Sequence, residues 1–233
     1  AMHDHLQSTV AHEFVKGLDY IAKKSTETLE GLQQNQTVLR DKQNRIVAKA
    51  CELIQHADNT LDVFAPERVE PQAELLSIRR LMEHVLLELY PYAESRGITI
   101  RTNLRDVEPT LLGRELTLRT LRNVIHNAIK YSHPSGVVEI DLSLLRGEQE
   151  AAKMICIEVS DTGKGMKKEE QDMIFELRRR GDGLVEPGSG LGLYSAREAA
   201  RRQGGDVVLV RSNLNQGSVF RITLPHSASD LEP

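Results

Sequence analysis

The sequence contains no tryptophan, and aromatic residues make up only 4% of it. A base-stacking platform or an aromatic-lined sugar cleft is therefore not expected. Cysteine is scarce as well. Cys51 and Cys156 are far apart, and neither sits in a CxxC pair or at a His spacing that suits zinc. This excludes a disulfide scaffold and points to a reducing compartment, so a cytoplasmic location is expected for this portion. No stretch approaches the roughly 18 apolar residues of a membrane-spanning helix, and the N-terminus has no signal-peptide core. Ala1-Met2 reads as a cloning remnant, and an upstream sensor or anchor is an open expectation. Charge of one sign is lacking too. Thirty basic against 34 acidic residues leave a net charge of −4, so no nucleic acid partner is expected.

What is present is ordinary globular usage, 39% hydrophobic and 27% charged over 233 residues, enough for one or two domains. Residues 6–64 hold no proline, and their apolar residues recur at helical spacing. At about 100° per residue, Leu18, Ile21, Ala22, Leu29 and Leu32 form one stripe. A second stripe runs through Ile46, Ala50, Leu53, Ile54, Ala57, Leu61 and Phe64. The pattern predicts two long amphipathic helices that reverse at Gln33-Gln34-Asn35-Gln36. Two such helices cannot enclose both stripes, so a second copy is expected to complete a four-helix bundle. Pro66 to Pro71 ends the helical pattern and reads as a linker.

Beyond it the pattern changes. It predicts a helix near 75–95, a strand at 98–101, a helix near 114–131, and strands near 137–145 and 154–160. A glycine-rich stretch leads into a helix at about 191–203. Strands Val207–Val210 and Val219–Leu224 follow, joined by a turn at 213–217. This order implies an α+β layer with helices on one face of a mixed sheet.

Three segments carry chemistry. On the predicted helix 114–131, Asn123 and Asn127 are four apart and share a face with Lys130, with Tyr131 beside it. An amide oxygen suits Mg²⁺ and an ammonium suits phosphate, although a solvated helix face also explains such a cluster. Next, an apolar strand runs into Asp161-Thr-Gly163-Lys-Gly165. Glycine permits close backbone approach to a flat ligand, and a carboxylate accepts a hydrogen bond from an exocyclic amine. A plain Asp-x-Gly turn is the other reading. Third, Gly188-Ser189-Gly190-Leu191-Gly192 opens a helix, where backbone N–H groups and the helix dipole favour polyphosphate. The spacing is not the Rossmann GxGxxG, and no GxxxxGK[ST] occurs anywhere, which argues against a P-loop enzyme.

In this order the segments resemble the N, G1, F and G2 boxes of the histidine-kinase-type ATP-binding domain. That domain has the Bergerat (GHKL) fold, an α+β sandwich shared with gyrase B, the MutL ATPases and heat-shock chaperone ATPases. The resemblance covers about residues 72–226. It implies ATP and Mg²⁺ as cofactors, with Asn127 as the metal ligand and Asp161 as the adenine reader. Asn123, Lys130, Tyr131, Gly163, Gly165, Gly188, Ser189, Gly190, Leu191 and Gly192 are implied ATP-binding positions, and Phe175 the lid anchor. Hydrolytic members carry a Glu four residues before the metal Asn. Here that residue is Asn123, and an amide is a poor general base, which favours the kinase branch.

Ala11-His12-Glu13-Phe-Val-Lys16-Gly17-Leu18 in turn resembles the phospho-acceptor box of sensor histidine kinases. His12 is then the implied acceptor and Glu13 its partner; His3, His5 and His56 are weaker competitors. Lys16 and Gly17 stand where many relatives have Thr or Asn, and Pro. Those departures put phosphatase activity in question, and they read equally as an ordinary surface Lys and a tolerated or flexible Gly. Arg178-Arg179-Arg180 reads as a solvated stretch or as a source of one phosphate-reaching arginine.

The expected organisation is a dimerisation and phosphotransfer hairpin at 1–66, a linker at 67–71, an ATP-binding domain at 72–228 and a tail at 229–233. The expected function is an autophosphorylating histidine kinase of a two-component system, acting as a homodimer and passing phosphate to an Asp of a response regulator. The alternatives are an anti-sigma-type Ser kinase with the same ATP fold, and an ATP-binding dimeric scaffold.

Overall fold

The computed structural model describes residues 16–25, 27, 38–46, 49, 50, 53, 72–146, 153–176 and 191–226. The expected reversal at 33–36, the linker at 67–71, the tail, Cys51, His3, His5 and His56 lie outside the described residues.

Residues 16–25 and 38–46 are helical. The Lys42 ammonium donates to the Glu27 carbonyl at 3.3 Å. Gly17 is buried against the Leu53 side chain, so closely that a Cβ there would collide with it. Gly17 is therefore a packing position within a helix. Lys16 beside it is exposed. Arg40 and Asn44, one helical turn apart, both donate to the Glu94 carboxylate, at 2.9 and 3.0 Å.

From residue 73 the chain builds a two-layer α/β unit. Strand β1 (Ala73–Leu76) is followed by helix α1 (Ile78–Ser95), strands β2 (Thr99–Leu104) and β3 (Thr110–Gly113), and helix α2 (Arg114–Tyr131). Strands β4 (Val137–Arg146) and β5 (Lys153–Asp161), the single turn α3 (Lys168–Gln171), helix α4 (Gly192–Arg201), and strands β6 (Asp206–Ser212) and β7 (Ser218–His226) complete it. One expectation is corrected here. The helix predicted from 75 starts at 78, because β1 pairs antiparallel with β3 and removes residues 73–76 from it. Strand β3 itself was not predicted: four residues carry no readable period, and only the partner strand makes them extended. Ser77 then caps α1, its hydroxyl accepting from the Arg80 N–H at 3.4 Å.

The five-stranded sheet has the order β2-β4-β5-β7-β6. The β2–β4 pair is parallel and the others are antiparallel. Alternation decides its two faces. Val138, Ile140 and Leu142 of β4, Ile155, Ile157 and Val159 of β5, and Phe220, Ile222 and Leu224 of β7 are buried in one core with α1, α2 and α4. The opposite face carries directly paired polar residues. Asn103 donates to Asp141 at 2.8 Å and Arg221 to Glu158 at 2.7 Å. A single apolar face of the sheet thus fixes all three long helices on one side, as the sequence pattern implies. Among the described residues, no helix is long and apolar enough to cross a membrane.

Helices α2 and α4 are pinned to one another. The Thr120 hydroxyl donates to the Ala196 carbonyl at 3.3 Å. Gln203, just past α4, accepts from the Gly113 N–H at 2.9 Å and from the Thr117 hydroxyl at 3.1 Å. These contacts set where the start of α4 meets the exit half of α2.

Candidate nucleotide site

Helix α2 is amphipathic enough that most of its length is buried, including the polar Asn123 and Lys130. Asn123 donates from Nδ2 to the Arg119 carbonyl one turn back, at 3.1 Å. That bond leaves Oδ1 turned toward the first residue of α4. A Cβ placed on Gly192 would stand 3.0 Å from Asn123 Oδ1 and 3.6 Å from Asn127 Nδ2. The glycine at the head of α4 and the amide pair of α2 thus share one space, and only a residue without a side chain leaves it open. Asn127 is half-buried and Leu191 is buried. The Leu191 carbonyl accepts the Ser195 N–H at 2.8 Å and starts the helix.

The end of α2 is stitched to the end of β5. Ser132 bridges Gly163, and the Tyr131 carbonyl accepts the Lys164 N–H at 3.1 Å. Gly163 packs against that same carbonyl so tightly that a Cβ would overlap it. The buried Lys130 ammonium lies 5.4 Å from the centroid of the Tyr131 ring, a cation–π distance.

Asp161 closes β5 and is 6% exposed. Burial pushes its carboxyl up to about 6, against the opposing pull of the Gly163 and Ser218 N–H groups and the nearby His133. The Gly163 N–H donates to Oδ1 at 2.9 Å. An ionised carboxylate held this way keeps unused acceptor capacity for an amine donor.

The turn at 213–217, which the sequence suggests only as a strand connection, proves to be the floor of this loop. Gly165 (φ +60°) presses on the Asn213 carbonyl and Gly217 (φ +79°) on the Asp161 carbonyl. The Asn215 N–H donates to the Lys164 carbonyl at 2.6 Å. Asn-x-Gly signals a turn locally, but nothing local says what rests on it.

Phe175 is half-buried in the turn after α3. Its ring meets Phe220 edge-on, with centroids 6.4 Å apart and planes at 85°. Arg197 of α4 covers it, the guanidinium carbon 4.5 Å from the ring centroid. Of the expected site residues, the structure brings Asn123 and Asn127 to Gly192, and Tyr131 to the Gly163 segment beside Asp161, with Lys130 near the Tyr131 ring. His12, Glu13, Gly188, Ser189, Gly190 and Arg178 to Arg180 lie outside the described residues. Among the described residues no cluster of three His, Cys, Asp or Glu side chains could hold a metal ion. A cation here would depend on an amide oxygen and on the oxygens of its substrate, which is how Mg²⁺ commonly sits on phosphates.

A mixed sheet covered on one side by three helices, with glycines at the ends of β5 and α4 meeting the amides of α2, defines an ATPase-type α/β domain. Residues 114–228 match the family described as histidine kinase-, DNA gyrase B- and HSP90-like ATPase. These residues form a domain of that family, and the chain is similar to the catalytic cores of sensor histidine kinases. It is 31% identical over 187 residues to the adaptive-response sensory kinase SasA of Gloeothece citriformis, covering 79% of this chain and 45% of that one. It is 30% identical over 161 residues to the sensor histidine kinase Hik2 of Synechocystis, covering 66% and 37%. The chain therefore spans less than half the length of these relatives. The fold is similar to that of the Acinetobacter baumannii histidine kinase AdeS, with a TM-score of 0.57 at 19% identity over 93% of this chain and 98% of that one.

Proposed function

We propose that this chain is the catalytic core of an ATP-dependent protein histidine kinase that phosphorylates its own His12 and passes the phosphoryl group to an aspartate of a response-regulator receiver domain. The observation that carries the reading is that Gly192 faces Asn123 and Asn127, whose amides are what a Cβ on the glycine would meet first; this sets the phosphate-suited head of α4 opposite the amides of α2. Asp161 accepts the exocyclic amine of adenine, and Gly163 and Gly165 let the backbone approach the flat base. Lys130, Tyr131 and the 188–192 backbone hold the phosphates, and Asn127 carries Mg²⁺ together with them. When bound, Mg²⁺ neutralises charge on the phosphate oxygens. Asn123, whose amide donates to the Arg119 carbonyl, offers no base to activate water.

A neutral imidazole nitrogen of His12 forms the new N–P bond as the bond from the γ-phosphorus to the bridging oxygen breaks. The electron pair leaves with ADP, and Glu13 accepts the proton from the other ring nitrogen. Because the chemistry is mostly positioning, His12 must be carried to the nucleotide by a hinge at 67–71. Residues 1–66 form the hairpin that pairs with a second copy in a homodimeric four-helix bundle. Support comes from Gly17 meeting Leu53 and Glu27 meeting Lys42, since residue numbers running in opposite directions match an antiparallel helix pair. This portion works in the cytoplasm, downstream of a sensor segment.

Incubation with γ-labelled ATP and Mg²⁺, followed by acid treatment, tests the reading. Acid-labile label that disappears in His12→Ala and in Asn127→Ala is expected. Acid-stable label on a partner alone would favour a Ser kinase, and bound nucleotide without label would favour a scaffold; either result overturns the proposal.

A further inference from the structure

We propose that Arg197 is a positioning residue of the nucleotide site, which locks the turn bearing Phe175 to helix α4 and so holds the head of that helix against Asn123 and Asn127. The inference rests on the nucleotide-site reading but concerns a residue that no motif singles out.

The Arg197 guanidinium faces two partners. It donates to Asp206 of β6 through Nε at 2.8 Å and Nη2 at 3.3 Å, a fork that fixes the plane of the group. The guanidinium carbon also lies over the Phe175 ring, 4.5 Å from its centroid, while the edge-on contact with Phe220 holds the ring from the core. Phe175 is thus clamped between β7 and α4.

Asp206 is built to hold that plane. Burial pushes its carboxyl up, but the bonds from Arg197 and Arg201 and from the Val207 N–H outweigh this and keep it below the usual carboxylate range. Arg201 sits one turn further along α4 and bonds the same carboxylate at 3.1 Å. Fastening α4 to β6 therefore does not require Arg197, and its distinguishing contact is the one with Phe175.

The position of that contact in the chain gives it a function. Arg197 is five residues beyond Gly192, and Gly192 is the residue of α4 that faces the Asn123 and Asn127 amides of α2. A clamp one and a half turns into α4 restricts tilt of the helix head, because a helix bends little over so short a span. Loss of the clamp should loosen nucleotide binding more than it loosens the fold. Lys can place a charge over the ring but cannot reproduce the bidentate bond to Asp206, so it should rescue only in part.

The test exploits the absence of tryptophan from the sequence. Phe175→Trp supplies a unique fluorophore at the clamp. In that background Arg197→Gln is expected to shift the emission to the red, and Arg197→Lys to shift it less. With Phe175 intact, Arg197→Gln should raise the Kd for Mg-ADP and the KM for ATP roughly tenfold while kcat for autophosphorylation stays within about twofold. Arg197→Lys should recover part of the lost affinity. Asp206→Asn, which frees the guanidinium, should move affinity and emission in the same direction. Unchanged emission and unchanged Kd in Arg197→Gln overturn the proposal. So does a lower melting temperature with kcat falling and Kd unmoved, the pattern of a residue that only supports the fold. If the unmodified protein fails to bind Mg-ADP, it is the nucleotide-site reading that falls, and the emission shift still reports whether the clamp exists.

Discussion

Gly192 and Asn123 face one another across the α2–α4 junction at close quarters, a Cβ on the glycine standing 3.0 Å from the amide oxygen. Gly192→Ala forces the amide to give way by a few tenths of an ångström. The helix itself gains from alanine, by up to about 1 kcal/mol. The fold should therefore be as stable as before, while affinity for Mg-ADP falls about tenfold, or about 1.4 kcal/mol. Calorimetric titration beside a thermal melt separates the two effects. An alanine variant that binds as tightly as the parent would show that the nucleotide does not use this space.

Asp161 gives the site a pH signature. Its carboxyl sits at about 6 in the folded protein against an ordinary 3.8, chiefly because it is buried. The folded state then holds a proton that the unfolded state has released, so between those two values stability falls as pH rises. The difference corresponds to about 3 kcal/mol for the ligand-free protein, present below pH 4 and lost by pH 6 to 7. Asp161→Asn should flatten this part of the stability profile. Nucleotide acts in the opposite sense. An amine donor needs the ionised carboxylate, so ATP affinity should weaken as pH drops below 6. Denaturant midpoints taken from pH 4 to pH 7 on both proteins check the first claim; parallel curves would refute it.

Two glycines with positive φ should respond differently to alanine. At Gly165 (φ +60°) a Cβ would overlap the Asn213 carbonyl, whereas at Gly204 (φ +79°) it would meet only Pro225 Cγ, at 3.9 Å. Gly204→Ala should cost only the left-handed backbone strain, about 1–2 kcal/mol. Gly165→Ala adds displacement of the turn that braces Asp161, so it should cost more and also reduce nucleotide affinity. Urea denaturation of the two variants gives the comparison.

Much of this architecture was legible in the sequence where a period ran long enough to read. The eighteen residues 114–131 carry an unbroken helical stripe and form α2 over those same residues. The long strands β4, β5 and β7 alternate or run apolar, and they fall within two residues of expectation. Shorter pieces escaped because their structure comes from elsewhere in the chain. Leu75 and Leu111 are strand residues only because β1 and β3 pair. Asp161 and Gly163 announced themselves as a strand-end loop, but the support from Asn213 and Gly217 spans about fifty residues. No local pattern singles out Arg197, because its place in the site depends on Phe175, distant in sequence, lying under its guanidinium. Local pattern reports which residues can form an element, and it is silent on which distant side chain completes a site.

The contact between Gly17 and Leu53 offers a test of how the N-terminal helices pack. Gly17 is buried, and a Cβ on it would run into the Leu53 methyl groups. Gly17→Ala should therefore be destabilising despite better helix propensity, with overpacking costing about 1–3 kcal/mol against a gain of about 1. Leu53→Ala alone leaves a gap over the glycine and should also destabilise. Together the two changes exchange the space, so the double variant should be more stable than the sum of the single losses predicts, with a coupling of about 1 kcal/mol or more. Chemical denaturation of the four proteins at one matched protein concentration measures it, so that any self-association contributes equally to all four. Strict additivity would mean that residues 17 and 53 do not touch.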